Sequence, residues 1–215
     1  NNMITINGQK MGKSLGNFIT LEQLTTGAHP LLEQAYSPMT IRFFILQAQY
    51  RSTLDFSNEA LQAAEKGYER LMKAVSTLKK IKPSEASSVD ISGVEARCTA
   101  AMDDDLNSPM AISELFDCVR TINQIYDGKQ TISAADLAEL RRVVDLFVFD
   151  ILGLRDDLAG DNSQMLSSVV DMILNIRMEA KNAKDWATSD KIRDGLAAIG
   201  IKVKDRKDGF DWEAE

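Results

Sequence analysis

Lys10 and Lys13 stand three residues apart in the run QKMGKSLGN, residues 9–17, together with Met11, Gly12 and Ser14. Lysine is a compact, flexible cation that meets phosphate as a point charge. Two such groups on a short glycine-containing loop could hold a polyphosphate and stabilise negative charge developing on it. Gly12 lets the loop close once an anion is bound. The upstream glycine spacing of a Walker A loop is absent. By residue type alone the run also reads as a solvated surface turn.

A second group of candidates lies near the other end. Trp186 and Trp212 are the only tryptophans, and both sit within or beside a basic stretch. Single-stranded RNA bases are read by stacking on aromatic rings and by edge hydrogen bonds. Asp190 and Asp205 could accept from base amino groups, and Lys181 could donate. Each has a plainer reading: Trp186 as a core anchor, Asp190 as a helix-surface charge, Asp205 as the start of a turn. Asp103, Asp104 and Asp105 resemble a metal cluster only on paper. Successive helical residues point about 100° apart, so they cannot converge on one ion. Their expected place is a solvated turn. His29, the only histidine, precedes Pro30 in a loop and is expected to face solvent. Cys98 and Cys118 match no metal spacing and are expected as reduced, partly buried thiols. No metal ligands are assigned in this sequence.

The 215 residues are 44% hydrophobic and 27% charged, which suits a soluble globular protein of one domain or two. No run of 18 apolar residues predicts a membrane span, and the start NNMITINGQK is no signal peptide. It reads as the middle of a strand, as if the chain were cut from something longer. Net charge is −7, which argues against a protein that coats nucleic acid everywhere. The charge is uneven, however. Residues 85–171 are strongly acidic, while 41–80 and 177–208 carry a basic excess. Two separated basic zones could grip one long polyanion at two places. The first contains Arg42, Arg51, Lys66, Lys73, Lys79 and Lys80.

The elements that must position these groups are mostly helices. MITI predicts a short strand whose partners are expected to lie outside the chain, because a lone strand cannot bury its faces. Thr20 and Gln23 form a capping box, with Gly27 as a stop. Ser37 and Pro38 start a helix with Ile41, Phe44, Ile45 and Ala48 on its apolar face. RSTLDFS reads as a loop. From Ser57 to Ile81 the period is helical, through Leu61, Ala64, Tyr68, Leu71, Val75 and Leu78. The serine-rich 82–93 segment is the best linker. Helices follow through 94–106, from Ser108 as N-cap with Pro109 next, and from Ser133 through Ile151. After a second linker at 153–162, a helix runs to Asn182 with Leu166, Val169, Val170, Ile173 and Ile176 on one face. A short helix to Gly200 and a hairpin end the chain.

The order strand, KMGKSLGN, helix cap resembles the KMSKS signature of class I aminoacyl-tRNA synthetases. The longer run MITINGQKMGKSLGNFITLEQL resembles the cysteinyl-tRNA synthetases in particular. RFFILQAQYRSTLDFS, AMDDDLNSPMAISELFD and DWATSDKIRDGLAAIGIKVKDRKDGFDWE are similar to later segments of that family, in the same order. The resemblance implies a C-terminal fragment of a ligase that activates cysteine with ATP and Mg²⁺ and esterifies it to tRNA(Cys). Zinc would lie in the catalytic half, outside this chain. By the same resemblance Lys13 contacts the ATP phosphates, Lys10 assists, and Met11, Gly12 and Ser14 complete the loop. Gly12 departs from the family's usual serine. The family's anticodon-contacting positions fall on Lys181, Trp186, Asp190 and Asp205. Lys181 replaces an arginine and loses bidentate geometry. The segment after the signature loop would touch the inner elbow of the tRNA.

The expected fold is mainly α: a helical bundle of DALR type, a strand–loop remnant of a catalytic domain in front, and a small α+β anticodon-binding unit behind. The expected divisions are 1–30, 31–82, 90–155 and 163–215. A cytoplasmic monomer with no membrane contact is expected, inactive without its missing half. Two other readings are a non-catalytic helical RNA-binding or interaction module and a synthetase-like cysteine:amine ligase. The intact lysine pair counts against the first, and the anticodon-type segment counts against the second.

Overall fold

The computed structural model describes residues 3–157, 159–206 and 209–214, excluding the side chains of 159–167, 204–206, 209, 211, 213 and 214. It is mainly helical and divides into two compact units, Asn1–Asp157 and Leu158–Glu215.

The first unit opens with a small sheet. Strand β1 (Met3–Ile6) pairs antiparallel with β2 (Gln9–Lys10) and parallel with β3 (Thr53–Asp55), giving the order β2-β1-β3. The partners expected outside the chain are therefore inside it. One of them lies in RSTLDFS, expected as a loop. A three-residue strand with only Leu54 buried carries too little alternation to be legible. Asn7 and Gly8 turn β1 into β2 at φ 49° and 78°, the pair of positive angles that a two-residue hairpin requires and that Asn-Gly supplies.

Helix α1 (Leu21–Thr26) has the predicted capping box: the Thr20 hydroxyl accepts from Gln23 N, and the Gln23 side chain accepts from Thr20 N. Ser37 caps α2 (Pro38–Leu46) as expected. Its buried face differs. Thr40, Ile41, Phe43 and Phe44 go inward, while Ile45 is exposed. The Phe43 ring packs between Tyr68 and Phe116, 6.0 and 6.4 Å away between centroids. Aromatic area drew position 43 inward in place of 45.

Helix α3 (Asn58–Lys80) is the spine, and every position predicted on its apolar face is buried. The Arg141 guanidinium donates to the carbonyls of Leu78, Lys79 and Ile81 at its C-terminal end, satisfying acceptors the helix leaves open. Helices α4 (Val94–Asp103), α5 (Ser108–Tyr126) and α6 (Ala134–Asp145) complete the bundle, with a π-helical turn over 146–151. The cap of α5 is Asn107 rather than Ser108. Ser108 is buried and donates to the Leu46 carbonyl at 2.7 Å, so its hydroxyl is spent on tertiary contact. The predicted linker 82–93 is tied down: Ser84 N donates to Ile132 O, Ser88 N to Thr131 O, and Ser87 Oγ to Asp136.

Residues 152–157 are fastened to α2 and α3. Arg42 Nε donates to Leu152 O at 2.8 Å. Gly153 (φ +62°) passes so close that a Cβ there would lie 2.6 Å from the Arg42 guanidinium. The buried Tyr68 hydroxyl bonds to Arg155 O and to Asp157 Oδ1, the latter at 2.7 Å, while Asp157 Oδ2 accepts from Met39 N. Burial beside Asp157 raises the Tyr68 phenol well above its ordinary range. Tyr68→Phe would leave these acceptors short of a donor. The expected cost is about 1–3 kcal/mol, read as a lower urea midpoint at unchanged slope.

In the second unit α7 (Ala159–Asn182) and α8 (Trp186–Ala198) pack with the hairpin β4 (Ile201–Arg206) and β5 (Gly209–Ala214). Val170, Leu174, Leu196 and Ile201 form its core, with Ile173, Val203, Phe210 and Trp212 against it. The face predicted for α7 is only partly the buried one. Val169 and Ile176 are exposed, and Leu174 and Arg177 are buried instead. The Leu166 side chain lies outside the described residues.

Candidate phosphate and nucleic-acid sites

The lysine run is built as a hairpin followed by a tight turn. Lys10 ends β2, opposite Thr5. Met11 N donates to Ile4 O at 3.0 Å, extending the pairing by one bond. Lys13–Leu15 then form one 3₁₀ turn. The base of the hairpin is held by Asp55 on β3, whose Oδ1 accepts from Thr5 Oγ1 at 2.6 Å and Gly8 N at 2.8 Å. Lys10, Lys13 and Ser14 are exposed. Neither lysine has an ion-pair partner among the described residues. The Lys13 ammonium lies 5.5 Å from the centre of the Phe18 ring, a cation–π contact worth about 0.5–1 kcal/mol at an exposed site. An arriving phosphate can displace so weak a contact.

Gly12 sits at φ −165° and ψ 142°, extended backbone open to any residue. A Cβ there would meet only the Leu15 side chain at 3.8 Å. Glycine is thus not required by the turn. Gly12→Ser is expected to change stability by less than about 0.5 kcal/mol, read by thermal melting; a larger loss would mean that the backbone angle at position 12 is strained.

The other predicted residues cluster on α8 and the end of α7. Asp185 caps α8, accepting from Thr188 N at 3.1 Å, and the Thr188 side chain together with that N–H pulls its carboxyl below the usual range. Trp186 opens the helix and is 60% exposed, so it is no core anchor. Asp190 lies four residues on, on the same face. Its carboxylate is 3.2 Å from Arg193. Lys181 is half-buried in the last turn of α7. The Asp205 side chain lies outside the described residues, although its backbone pairs with Phe210 in the hairpin. The other tryptophan is structural: Trp212 Nε1 donates to Asp171 Oδ1 at 2.9 Å, tying the hairpin to α7.

The first basic zone separates into two kinds. Arg42 is committed to the Leu152 carbonyl. Arg51 is paired with Asp105 at 3.4 Å and lies over Tyr50, so the aspartate turn serves partly as its anchor. Lys66, Arg70, Lys73 and Lys80 are exposed along one face of α3 at spacings of four, three and seven. Arg70 was missed from sequence. It stands 5.6 Å over the Phe116 ring at the edge of an open cleft of about 390 Å³ that Arg120 also lines. Cys98 and Cys118 are buried in the bundle, where loss of hydration pushes their thiols up to about 11 and about 12.

Three family models match the chain in sequence. Residues 1–66 match the class I (C) tRNA synthetase catalytic domain, 97–155 the DALR domain, and 163–212 the cysteinyl-tRNA ligase anticodon binding domain. The chain belongs to the cysteinyl-tRNA synthetase family. It is 62% identical over 215 residues to the cysteine–tRNA ligase of Parabacteroides distasonis, 58% to that of Porphyromonas gingivalis and 59% to that of Bacteroides fragilis. Each match covers 99% of this chain and 44% of the relative. Within this synthetase family the chain corresponds to the C-terminal region: the sheet and lysine turn fall in the catalytic-domain match, the helices in the DALR match, and the small α+β unit in the anticodon-domain match. Among the described residues no helix is long and apolar enough to cross a membrane.

Proposed function

We propose that the chain is the C-terminal part of a cytoplasmic cysteine–tRNA ligase that activates cysteine with ATP and transfers it to tRNA(Cys). The observation that carries this reading is the lysine turn: two exposed ammonium groups with no ion-pair partner among the described residues, on a hairpin braced by Asp55, in a chain that also matches an anticodon-binding domain. A pure binding module has no need of the first, and a ligase for a small amine has no need of the second.

Lys13, with Lys10 beside it, would hold the ATP phosphates. Both are free to meet negative charge as it builds on the leaving pyrophosphate. Mg²⁺ would arrive with the phosphates, and no residue here is assigned to it. Zinc does not fit the described residues, among which no three His, Cys, Asp or Glu side chains could share an ion. No step is drawn through it. Trp186 would stack on an anticodon base, with Asp190, Asp205 and Lys181 meeting base edges or backbone. The cationic face of α3 would meet phosphates of the tRNA elbow, which positions RNA without reading sequence. A monomer with one tRNA suits these two separated grips.

The test is cysteine-dependent ATP–pyrophosphate exchange and tRNA(Cys) charging by the complete enzyme, with serine as the control amino acid. Cysteine should support both and serine neither. The 215-residue chain alone should support no exchange, and exchange by it would overturn the assignment of activity to the missing half.

A further inference from the structure

The carboxamide of Asn17 is the best-defined polar contact of the lysine turn. Asn17 is only 8% exposed. Its Oδ1 accepts from Gly12 N at 2.9 Å, and its Nδ2 donates to Lys10 O at 3.0 Å. Both bonds reach the backbone on the two sides of Met11. One side chain thus supplies the donor and the acceptor that a neighbouring strand would have supplied had β2 continued. Gly12 O in turn accepts from Leu15 N at 3.1 Å, which starts the 3₁₀ turn bearing Lys13. The chain of bonds runs from Lys10 through Asn17 to Gly12 and on to the turn of Lys13.

We propose that Asn17 is a positioning residue that fixes the separation of Lys10 and Lys13, so that both ammonium groups are presented to one polyphosphate. The inference rests on the phosphate reading of the lysines. The chemistry of the contact is specific to an amide. Aspartate at this position keeps the acceptor but loses the donor and sets a carboxylate oxygen against the Lys10 carbonyl. Alanine loses both bonds and leaves the Gly12 N–H and the Lys10 C=O without that partner. Glutamine is one methylene too long for both contacts at once. Strand pairing holds Lys10 up to Met11 N, which donates to Ile4 O, but beyond Met11 the pairing ends and Gly12, with no Cβ, depends on the Asn17 contact. Removing the carboxamide therefore lets the Lys13 turn drift relative to Lys10 without unfolding the sheet, which Asp55, β2 and β3 still hold.

Two measurements on Asn17→Ala and Asn17→Asp test this. In the 215-residue chain, amide hydrogen exchange at Gly12 should accelerate by at least tenfold for alanine and stay near wild type for aspartate, which keeps the acceptor. Exchange at Leu61 and Val119 in the bundle should not move. In the complete enzyme, ATP–pyrophosphate exchange should lose about tenfold to a hundredfold in kcat in both variants, with tRNA(Cys) affinity unchanged. Unchanged kcat in both variants, or a loss of kcat matched by loss of tRNA affinity and of bundle protection, would overturn the positioning role. The phosphate reading is judged separately by Lys13→Ala in the same assay. If that variant keeps full exchange activity, the reading of the lysines fails whatever Asn17 does.

Discussion

Lys13→Ala in the complete enzyme should lower the rate of cysteine-dependent ATP–pyrophosphate exchange by about 10²–10³-fold, the usual effect of deleting one preorganised group aimed at developing charge. The loss should fall on kcat more than on KM for cysteine, because a group that meets charge only as it develops contributes little to the ground state. Folding should be unaffected: Lys13 is exposed and the described contact of its side chain, with Phe18, is weak. Lys66→Ala serves as the control. It should leave exchange intact while reducing the salt dependence of tRNA binding by about one unit of slope. An equal loss of exchange in both variants would mean that general positive charge, and not the turn, supports the reaction.

Trp186→Ala should remove most of the preference for the cysteine anticodon. Base–aromatic stacking is worth about 1–3 kcal/mol per base, so the preference of a cysteine transcript over one with an altered anticodon should fall by about tenfold to a hundredfold. Fluorescence anisotropy at fixed salt measures it. The structural argument is exposure: an indole 60% open at the first position of α8 is not retained there for packing, since Trp212 already anchors that unit through Asp171. Trp186→Phe should keep part of the effect. Asp190→Ala should act in the same direction, and it also frees Arg193 from one partner. Equal affinity of the wild type for both transcripts would leave only backbone electrostatics and would remove the anticodon assignment.

Much of the helical framework was legible because it depends on neighbours in the chain. The Thr20–Gln23 box, the helix start at Ser37 and Pro38 and the α3 stripe are all local patterns, and all appear as read. The lysine pair was legible for the same reason, as residue types at a spacing. What was misread needed partners far away in sequence. Thr53–Asp55 is a strand only because β1 lies beside it, some fifty residues earlier. Phe43 replaces Ile45 inside because Tyr68 and Phe116 offer it rings. Ser108 leaves capping to Asn107 because the Leu46 carbonyl needs a donor. The α7 face shifts because β4, β5 and α8 decide which side is covered.

The same division holds for function. Residue type and order alone determined that two cations sit on a short loop ahead of a helical bundle and an aromatic, charged C-terminus, since charge and ring are properties of single residues. Only the tertiary structure decided that Asp55 and Asn17 brace those cations, that Arg42 and Arg51 are occupied elsewhere, and that Trp186 faces solvent while Trp212 does not. Those outcomes depend on which polar group or apolar surface is brought within a few ångströms, and a side chain's own chemistry does not contain that distance.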